Sequence, residues 1–566
     1  MRMSRREVLT ALLGAPLAGT IAACERERAA SPGAAGAPSI AGELHGQSHR
    51  VGHRLRKPPS DAEFASAPRR RTEVVIVGGG PSGLSAAYGL AKRGVHDFEL
   101  LELEPELGGT SASGASEVTA YPWGAHYITA PRAQNTQLIA LLEEMGITEG
   151  RHDDGRPRMA EHCLVRQPKE RLFYRGYWYP QLYPTAGASA DDLAQLQRFH
   201  LLIERHAKLV DGRGRPAFTI PVSQCSDDPR FTALDRIGAR QWLLQQGLTS
   251  ERLHWYADYA CRDDYGLSLS LTSAWALIFY HASRTLPDGT DTPVITWPEG
   301  NAALTAHLRR PLRAERLRTG QLVVDVQEVD DGVRVHAIDV KTDTPVVIEA
   351  KHAIVATPQF VTRRIVRSLR DAGGEDPRSR FEYGAWMVAN LHLRDRPGHR
   401  GAPESWDSVL YDSPSLGYVS ATHQRGRSFG QTVWTYYLPM TDARASDGRK
   451  RMLQADWGHY RDAVIGDLGR AHPDLAAQVQ RIDVFRWGHG MVQPRIGFVS
   501  GSERLAAAQP LGRVHFAHSD LSGVALFEEA FDHGLRAAGE VVAAVQRAPE
   551  SNPATPRVPT VPTVPG

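Results

Sequence analysis

The stretch Arg71 to Gly109, RTEVVIVGGGPSGLSAAYGLAKRGVHDFELLELEPELGG, constrains the fold of this chain more than any other part. Val74 to Val77 form a short β-branched run, which predicts a strand buried on both faces of a parallel sheet. Gly78, Gly80 and Gly83 then fit G-x-G-x-x-G, with Pro81 and Ser82 inside the motif. Leu84 to Arg93 carries apolar residues at helical spacing until Gly94. The first glycine permits the tight turn, the second lets backbone N–H groups approach a pyrophosphate, and the third lets helix and strand pack closely. The helix N-terminus presents the positive end of its dipole to the same phosphates. A second strand is expected over Phe98–Leu103, and Glu102 stands about 20 residues after the last glycine, where a ribose-binding carboxylate belongs. Strand, turn, helix, strand and acid in this register predict a dinucleotide site.

The N-terminus reads as an address label. Ser4-Arg5-Arg6-Glu7-Val8-Leu9 is a twin-arginine pattern, and the apolar segment Leu9–Ala23 is too short for an ordinary membrane span. Ile21-Ala22-Ala23-Cys24 resembles a bacterial lipobox, in which the cysteine is lipidated and becomes the mature N-terminus. These features predict an exported, periplasmic protein held to the membrane by a lipid on Cys24, folded before it crosses. Residues 25–70 read as a tether ending in Arg69-Arg70-Arg71, solvated or covering a cofactor. His45, His49 and His53 lie four apart, but Gly42, Gly46 and Gly52 disfavour a helix that would align them, so no metal site is expected. Residues 547–566, with their VPTVPTVP repeat, read as an extended, disordered tail.

Composition excludes several classes. With 566 residues, 42% of them apolar, the chain buries a large core in more than one domain, and a net charge of +2 gives no reason to expect nucleic acid. Once Cys24 is lipidated, Cys163, Cys225 and Cys261 allow at most one disulfide, and no CxxC or CxxCH supports a zinc, thioredoxin-like or haem site. No second G-x-G-x-x-G follows a strand, which argues against an NADPH-using monooxygenase.

Immediately after Glu102, the acid-then-double-glycine segment ending Gly108-Gly109 resembles the flavin-containing amine oxidase superfamily. That group includes monoamine and polyamine oxidases, protoporphyrinogen oxidase and carotenoid-type desaturases. The resemblance implies FAD along Gly78, Gly80, Pro81, Ser82, Gly83, Glu102 and Gly109, with Thr110 where many members carry arginine. Tyr121–Ile128 resembles the segment beside the isoalloxazine ring, which makes Gly124, Ala125 and His126 candidates; His126 reads equally well as a core histidine. Trp297-Pro-Glu-Gly-Asn301 resembles the family's proline-glycine turn. Leu322–Val329 and Gly332–Ile338 form a predicted hairpin, followed by a strand His352–Ala356. In the family this region brings a backbone position near Val324 to the adenine and the turn at Ala356 to the pyrophosphate. Gly512–Ala517 and the helix opening at Phe527 resemble the last cofactor element, with Asp520 as ribityl partner, Ser519 where an acid is expected and Glu529 in place of a glycine. A helix N-terminus there favours the negative charge of reduced flavin. With no cysteine beyond Cys261, FAD is expected to be held without a covalent bond.

The same resemblance places Trp487 as a substrate-facing wall and His489 as a candidate base. Glu382–Leu393 matches the strand where many amine oxidases carry a lysine near flavin N5. This chain has none, and Trp386, Val388 and Asn390 are the nearest candidates, Asn390 being taken as catalytic. That favours a dehydrogenase passing electrons to quinone or another acceptor. Two short stretches stay ambiguous. Arg171–Pro184 is an aromatic run that either lines a pocket or belongs to the core, and Arg262-Asp263-Asp264 either faces substrate or forms an exposed turn.

The expected architecture is α/β: a discontinuous Rossmann-like FAD domain (71–130, 291–380 and 485–546) with an inserted α+β substrate domain (131–290 and 381–484), after a signal (1–24) and linker (25–70). The expected function is an FAD-dependent oxidoreductase that takes hydride from a small molecule's C–N or C–H bond onto flavin N5. A porphyrinogen or isoprenoid C–C desaturase is the alternative within that class. A non-redox flavin-binding assembly protein or an isomerase is the alternative outside it.

Overall fold

The computed structural model describes residues 40–286, 288–373 and 376–547. The expected signal and all but the first residue of the expected tail lie outside them. In chain order the elements that build the site are β1 (Leu44–Gly46), β2 (Arg69–Val77), α1 (Pro81–Lys92), β3 (Phe98–Leu101), α2 (Glu251–Tyr265), β4 (Tyr383–Leu393), β5 (Val479–Val492) and α3 (Phe527–Arg547).

The β-branched run behaves as a central parallel strand must. β2 pairs in parallel with β3 on one side, Val74 opposite Phe98, and with strand Thr344–Val355 on the other, Val355 opposite Val77. Val74 and Ile76 pack on one side with Leu84, Leu90 and Leu535, while Val75 and Val77 pack on the other with Val324, Ile348 and Phe381. The sheet runs from Leu317–Arg318 through β3, β2 and Thr344–Val355 to the hairpin Gly332–Asp339 and Gln321–Val329. Val514–Phe516 joins Thr344–Val355 in parallel. Chain segments separated by hundreds of residues thus form one nucleotide-binding sheet.

The long C-terminal helix closes this domain by glycine contacts. A Cβ at Gly534 of α3 would stand 2.5 Å from Ser82 O and from Ser85 Cβ, and one at Gly89 of α1 would stand 2.9 Å from Leu535 Cδ2. Only hydrogen fits at these crossings, so α3 lies directly against the helix that follows the glycine motif.

The second sheet orders β1, β5, β4, Thr432–Met440, Tyr418–Ser420, Asp407–Leu410, Glu170–Tyr174 and Tyr177–Pro180. A helical layer containing Ala190–Ala207, α2 and Ala274–Ala282 shares a third core. The aromatic run 171–184 belongs to this region's core: Trp178 is buried under the Arg171 guanidinium, 4.0 Å from its ring centre. Cys163, Cys225 and Cys261 are free and buried. No helix among the described residues is long and apolar enough to cross a membrane.

Two expectations are corrected. Residues 40–70 are not a tether: β1 is an edge strand on β5, and Leu55, Phe64 and Ala67 are core residues. Cys261–Tyr265 is no exposed turn but the last turn of α2, capped at its start by Ser250 and ended by left-handed Gly266.

The glycine crossing predicts that Gly534→Ala destabilises the fold by about 1–3 kcal/mol, as overpacking of a close contact does. The check is a lowered thermal unfolding midpoint, with Gly539→Ala, where a Cβ meets nothing within 4 Å, as the control.

Candidate functional site

One cavity of about 1080 Å³ gathers the expected cofactor residues. It exceeds the ~300–1,000 Å³ usual for small-molecule pockets, leaving room for a dinucleotide and a substrate together. Its walls include Gly78, Gly80, Pro81, Ser82, Glu102, Gly109, Thr110, Gly124, Ala125, His126, Ala356, Asp520 and Phe527, and also Trp487 and His489.

At the nucleotide end, the turn after β2 is as tight as atoms allow. A Cβ at Gly83 would lie 1.8 Å from Gly78 O, so Gly83 stays outside the cavity wall and works by letting α1 approach the strand. Gly78 has φ +106°, a conformation side chains rarely adopt, and a Cβ at Gly109 would stand 3.1 Å from Gly80 Cα. Glycine here keeps a channel of bare backbone open. The Glu102 carboxylate receives the Gly79 N–H (2.5 Å) and the Glu104 N–H (2.8 Å), and burial holds its pKa above the usual range. Val324 is not in the wall. Its side chain is in the core and its neighbours Leu322 and Val323 line the cavity instead.

Further along, Thr110 O accepts the Ala125 N–H (2.9 Å), and a Cβ at Gly124 would stand 2.5 Å from that same oxygen, so this segment is pinned against the wall. Asp520 Oδ2 receives the Gln359 N–H (2.9 Å) and the Tyr383 hydroxyl (2.6 Å), and Oδ1 faces His518 Nδ1 at 3.0 Å. Burial alone raises its pKa, but the charge and hydrogen bonds of His518, with the Tyr383 hydroxyl and the Gln359 amide, outweigh burial and lower it. The first turn of α3 brings Leu526, Phe527 and Glu528 into the wall. Its positive dipole end faces whatever lies there. Glu528 receives the Thr129 N–H (3.3 Å), and burial pushes its pKa to about 6.

The remaining wall is aromatic. Trp487 stacks on Phe485, centroids 4.2 Å apart, and donates its indole N–H to Trp123 O at 2.7 Å. The Tyr437 hydroxyl donates to Gly124 O at 2.9 Å, and Trp386 and Val388 of β4 complete this end. His126 packs against Tyr127, Trp406 and Tyr437, and burial lowers its pKa to about 3. His489 stacks on Phe360 at 4.0 Å, and burial, then the Arg449 and His53 charges, lower its pKa to about 3. A histidine held neutral so far below neutral pH is a poor general base, which corrects the role expected of it.

Asn390 is also corrected. It is fully buried outside the cavity, donating to Pro122 O (3.1 Å) and accepting from the Thr435 hydroxyl (2.8 Å), so it secures the strand rather than touching a ligand.

Two stretches for which the sequence left alternatives open reach the cavity. Asp263 and Asp264, with Arg284 and Tyr127, line the substrate end, and residues 44–56 line one side. Arg284 donates to Asp264 Oδ2 at 2.7 Å, whereas Asp263 Oδ2 receives only the Tyr280 hydroxyl at 3.3 Å. Burial first, and then the Asp264 charge, raise the Asp263 pKa against the pull of Arg284. The readable signal was Ser250 and Gly266 bracketing a helix. Elsewhere Asp61, Asp325 and His336 converge, but Arg367 bonds both carboxylates, at 2.6 and 2.8 Å, which makes the group an ion-pair network.

The comparisons agree with this geometry. The sequence profile of the family described as flavin containing amine oxidoreductase matches residues 81–542. Mitochondrial dimethylglycine dehydrogenase of Rattus norvegicus is 36% identical over 126 residues, a match spanning 22% of this chain and only 13% of that enzyme. Among solved structures, a putrescine oxidase determined with putrescine bound is 18% identical with a TM-score of 0.61, covering 84% of this chain and all of that one. Cyclohexylamine oxidase from Brevibacterium oxydans IH-35A is 15% identical with a TM-score of 0.60, over the same shares. At these identities the solved structures are like this chain in fold.

The buried carboxylate at the end of β3 leads to a direct expectation. Glu102→Ala weakens retention of the flavin nucleotide at least about 10-fold, the scale of a lost hydrogen bond to a charged group. Equilibrium dialysis of the purified protein, read by flavin absorbance, checks it; full occupancy in the variant would remove Glu102 from the ribose role.

Proposed function

Because the chain belongs to the flavin-containing amine oxidoreductase family and is thereby an FAD-dependent oxidoreductase, we propose that it oxidises a cationic amine at a C–N bond. The observation that carries this reading is Asp263, a carboxylate in the cavity wall with no ion-pair partner among the described residues. FAD, when bound, supplies the hydride acceptor.

The substrate end carries more acid than base. Asp263, Asp264 and Glu528 line it, Asp407 stands behind through Tyr259 (3.1 Å), and Arg284 is the one cationic side chain among the described residues of this group. Crowded carboxylates in a low dielectric are costly unless a cation joins them. A protonated amine does this, and its entry favours the charged form of Asp263. The indole faces of Trp123, Trp386 and Trp487 suit the same cation. The putrescine and cyclohexylamine oxidases support an amine by likeness of fold. The strand β4 presents Trp386 and Val388 to the cavity and no lysine, which supports a dehydrogenase that passes electrons to a quinone or another acceptor.

The twin-arginine pattern at Ser4–Leu9 and the lipobox-like Ile21–Cys24 support export in the folded state and a lipid anchor outside the cytoplasm. Cys24→Ser is expected to move the protein from the membrane fraction to the soluble one; retention on membranes would reject the anchor.

Anaerobic mixing of the holoprotein with a panel of amines is expected to bleach the flavin absorbance. If polycyclic or polyene compounds bleach it and amines do not, the reading gives way to C–C desaturation; if nothing does, to a non-redox role. Asp263→Asn is expected to lower kcat/KM for the amine by about 100-fold, the scale of breaking a buried charge pair, while FAD absorbance is unchanged. The sign of the pH dependence follows from the raised pKa. Asp263 is neutral at low pH and gains charge as pH rises, so kcat/KM climbs above the ordinary aspartate value of ~4. The asparagine variant lacks that limb. The groups around Asp263 that shape it are Asp264, Arg284, Tyr280 and Glu170.

A further inference from the structure

Residues 44–56 precede the nucleotide-binding core in sequence, yet they line the cavity from one half to the other. β1 lies in parallel on β5, Leu44 opposite Val484 and Gly46 opposite Arg486, and His45 packs against Trp123 with ring centroids 5.1 Å apart. That end belongs to the aromatic half. At Ser48 the segment crosses to the nucleotide half: its backbone N–H donates to Glu104 Oε1 and its hydroxyl to Oε2, both at 2.8 Å. Glu104 follows Glu102 by two residues and lines the cavity with it. Beyond, the segment passes over Leu103 at Gly52 and seats Leu55 in the core, with His49, His53 and Arg56 lining the cavity and Arg50 and Arg54 exposed outside it.

We propose that residues 44–56 are a cofactor strap, with the Ser48–Glu104 pair as its clasp, and that its opening sets the rate at which FAD leaves and enters the cavity. The attachment is of the kind that opens locally before the rest of the fold: one three-residue edge strand, one clasp, one solvent-exposed Arg54–Asp343 ion pair and one buried leucine. FAD held between the glycine turn, α3 and this segment has the segment as its least firmly fixed wall. The inference rests on FAD as the occupant of the cavity and not on the amine reading, so failure of either leaves the other standing.

The register supplies a reversible lock. A Cβ at Gly46 would stand 3.9 Å from Arg486 Cβ, within the ~3.5–4.5 Å that a disulfide spans. Gly46 is not in a left-handed conformation, so Cys is admissible there. The holoprotein carrying Gly46→Cys and Arg486→Cys is diluted, and FAD release is followed by its fluorescence in the oxidised and the reduced state. Release is expected to be at least about 10-fold slower with the disulfide closed than after reduction, a difference equivalent to holding one such local contact shut. Equal rates, with the disulfide confirmed by mass, overturn the proposal. Should that variant fail to fold, Ser48→Ala tests the clasp. FAD release about 10-fold faster, with unchanged thermal unfolding of the apoprotein, is expected from one lost bond to a carboxylate; release at the wild-type rate overturns it.

Discussion

The close approach at the turn after β2 is the contact on which the rest of this structure depends. With Gly83 pressed on the Gly78 carbonyl and Gly109 beside Gly80, the first turn of α1 ends in open backbone at the cavity rather than in side chains. α1 takes its direction from that approach, and α3 docks on α1 through Gly534 and Gly89. The first turn of α3 therefore reaches the same cavity from the other end of the chain. Two helix N-termini and a row of backbone amides meet at one place because a few positions carry no Cβ. Backbone dipoles suited to an anion face the cavity there, beside the Glu102 and Asp520 carboxylates.

The opposite end is built the other way, from charged side chains in a buried setting. Burial forces His126 and His489 to stay neutral, so neither adds positive charge near neutral pH. Arg284 is committed to Asp264 and to the Tyr280 carbonyl, at 2.7 and 2.8 Å. The carboxylates are left in excess among the described residues, and the aromatic walls supply a further favourable surface for a cation. The cavity is thus polarised along its length: backbone dipoles receive negative charge at one end, and acids and indole faces receive positive charge at the other. A neutral polycyclic or polyene substrate would leave Asp263 without a counterpart, which is the reason an amine is the substrate proposed here.

What could be read in the sequence was whatever is encoded by neighbours. The β2–turn–α1–β3 unit, the acid Glu102 and the hairpin after Gln321 each lie in one short window whose spacing carries the physics. What could not be read depends on where a strand or helix is placed by distant parts. Trp386, Val388 and Asn390 share one face of β4, but a strand advances ~3.3 Å per residue, so the cavity passes Val388 and ends before Asn390, which lies under Pro122 instead. Val324 fails for the same reason: Leu322 and Val323 reach the cavity, and the strand has passed it at Val324, whose side chain packs in the core. The α2 helix was obscured because Arg262, Asp263 and Asp264 look like a surface turn, and only their burial against Arg284 and Tyr280 gives them a different meaning. The glycines at 42, 46 and 52 rightly argued against a long helix, but they also hid an edge strand whose partner, Val484 to Arg486, lies 440 residues further along the chain.

The order in which these parts close follows from their connections. Val514–Phe516 and α3 come late in the chain, and without them neither the sheet beside Thr344–Val355 nor the face of α1 is covered. FAD has no complete site until the C-terminus has folded onto the N-terminal motif. The segment 44–56 pairs with β5, itself late in the chain, so it too seats after the core has formed. A chain with this topology acquires its cofactor as a finished fold or not at all. That requirement fits the folded-state export proposed above from the twin-arginine pattern.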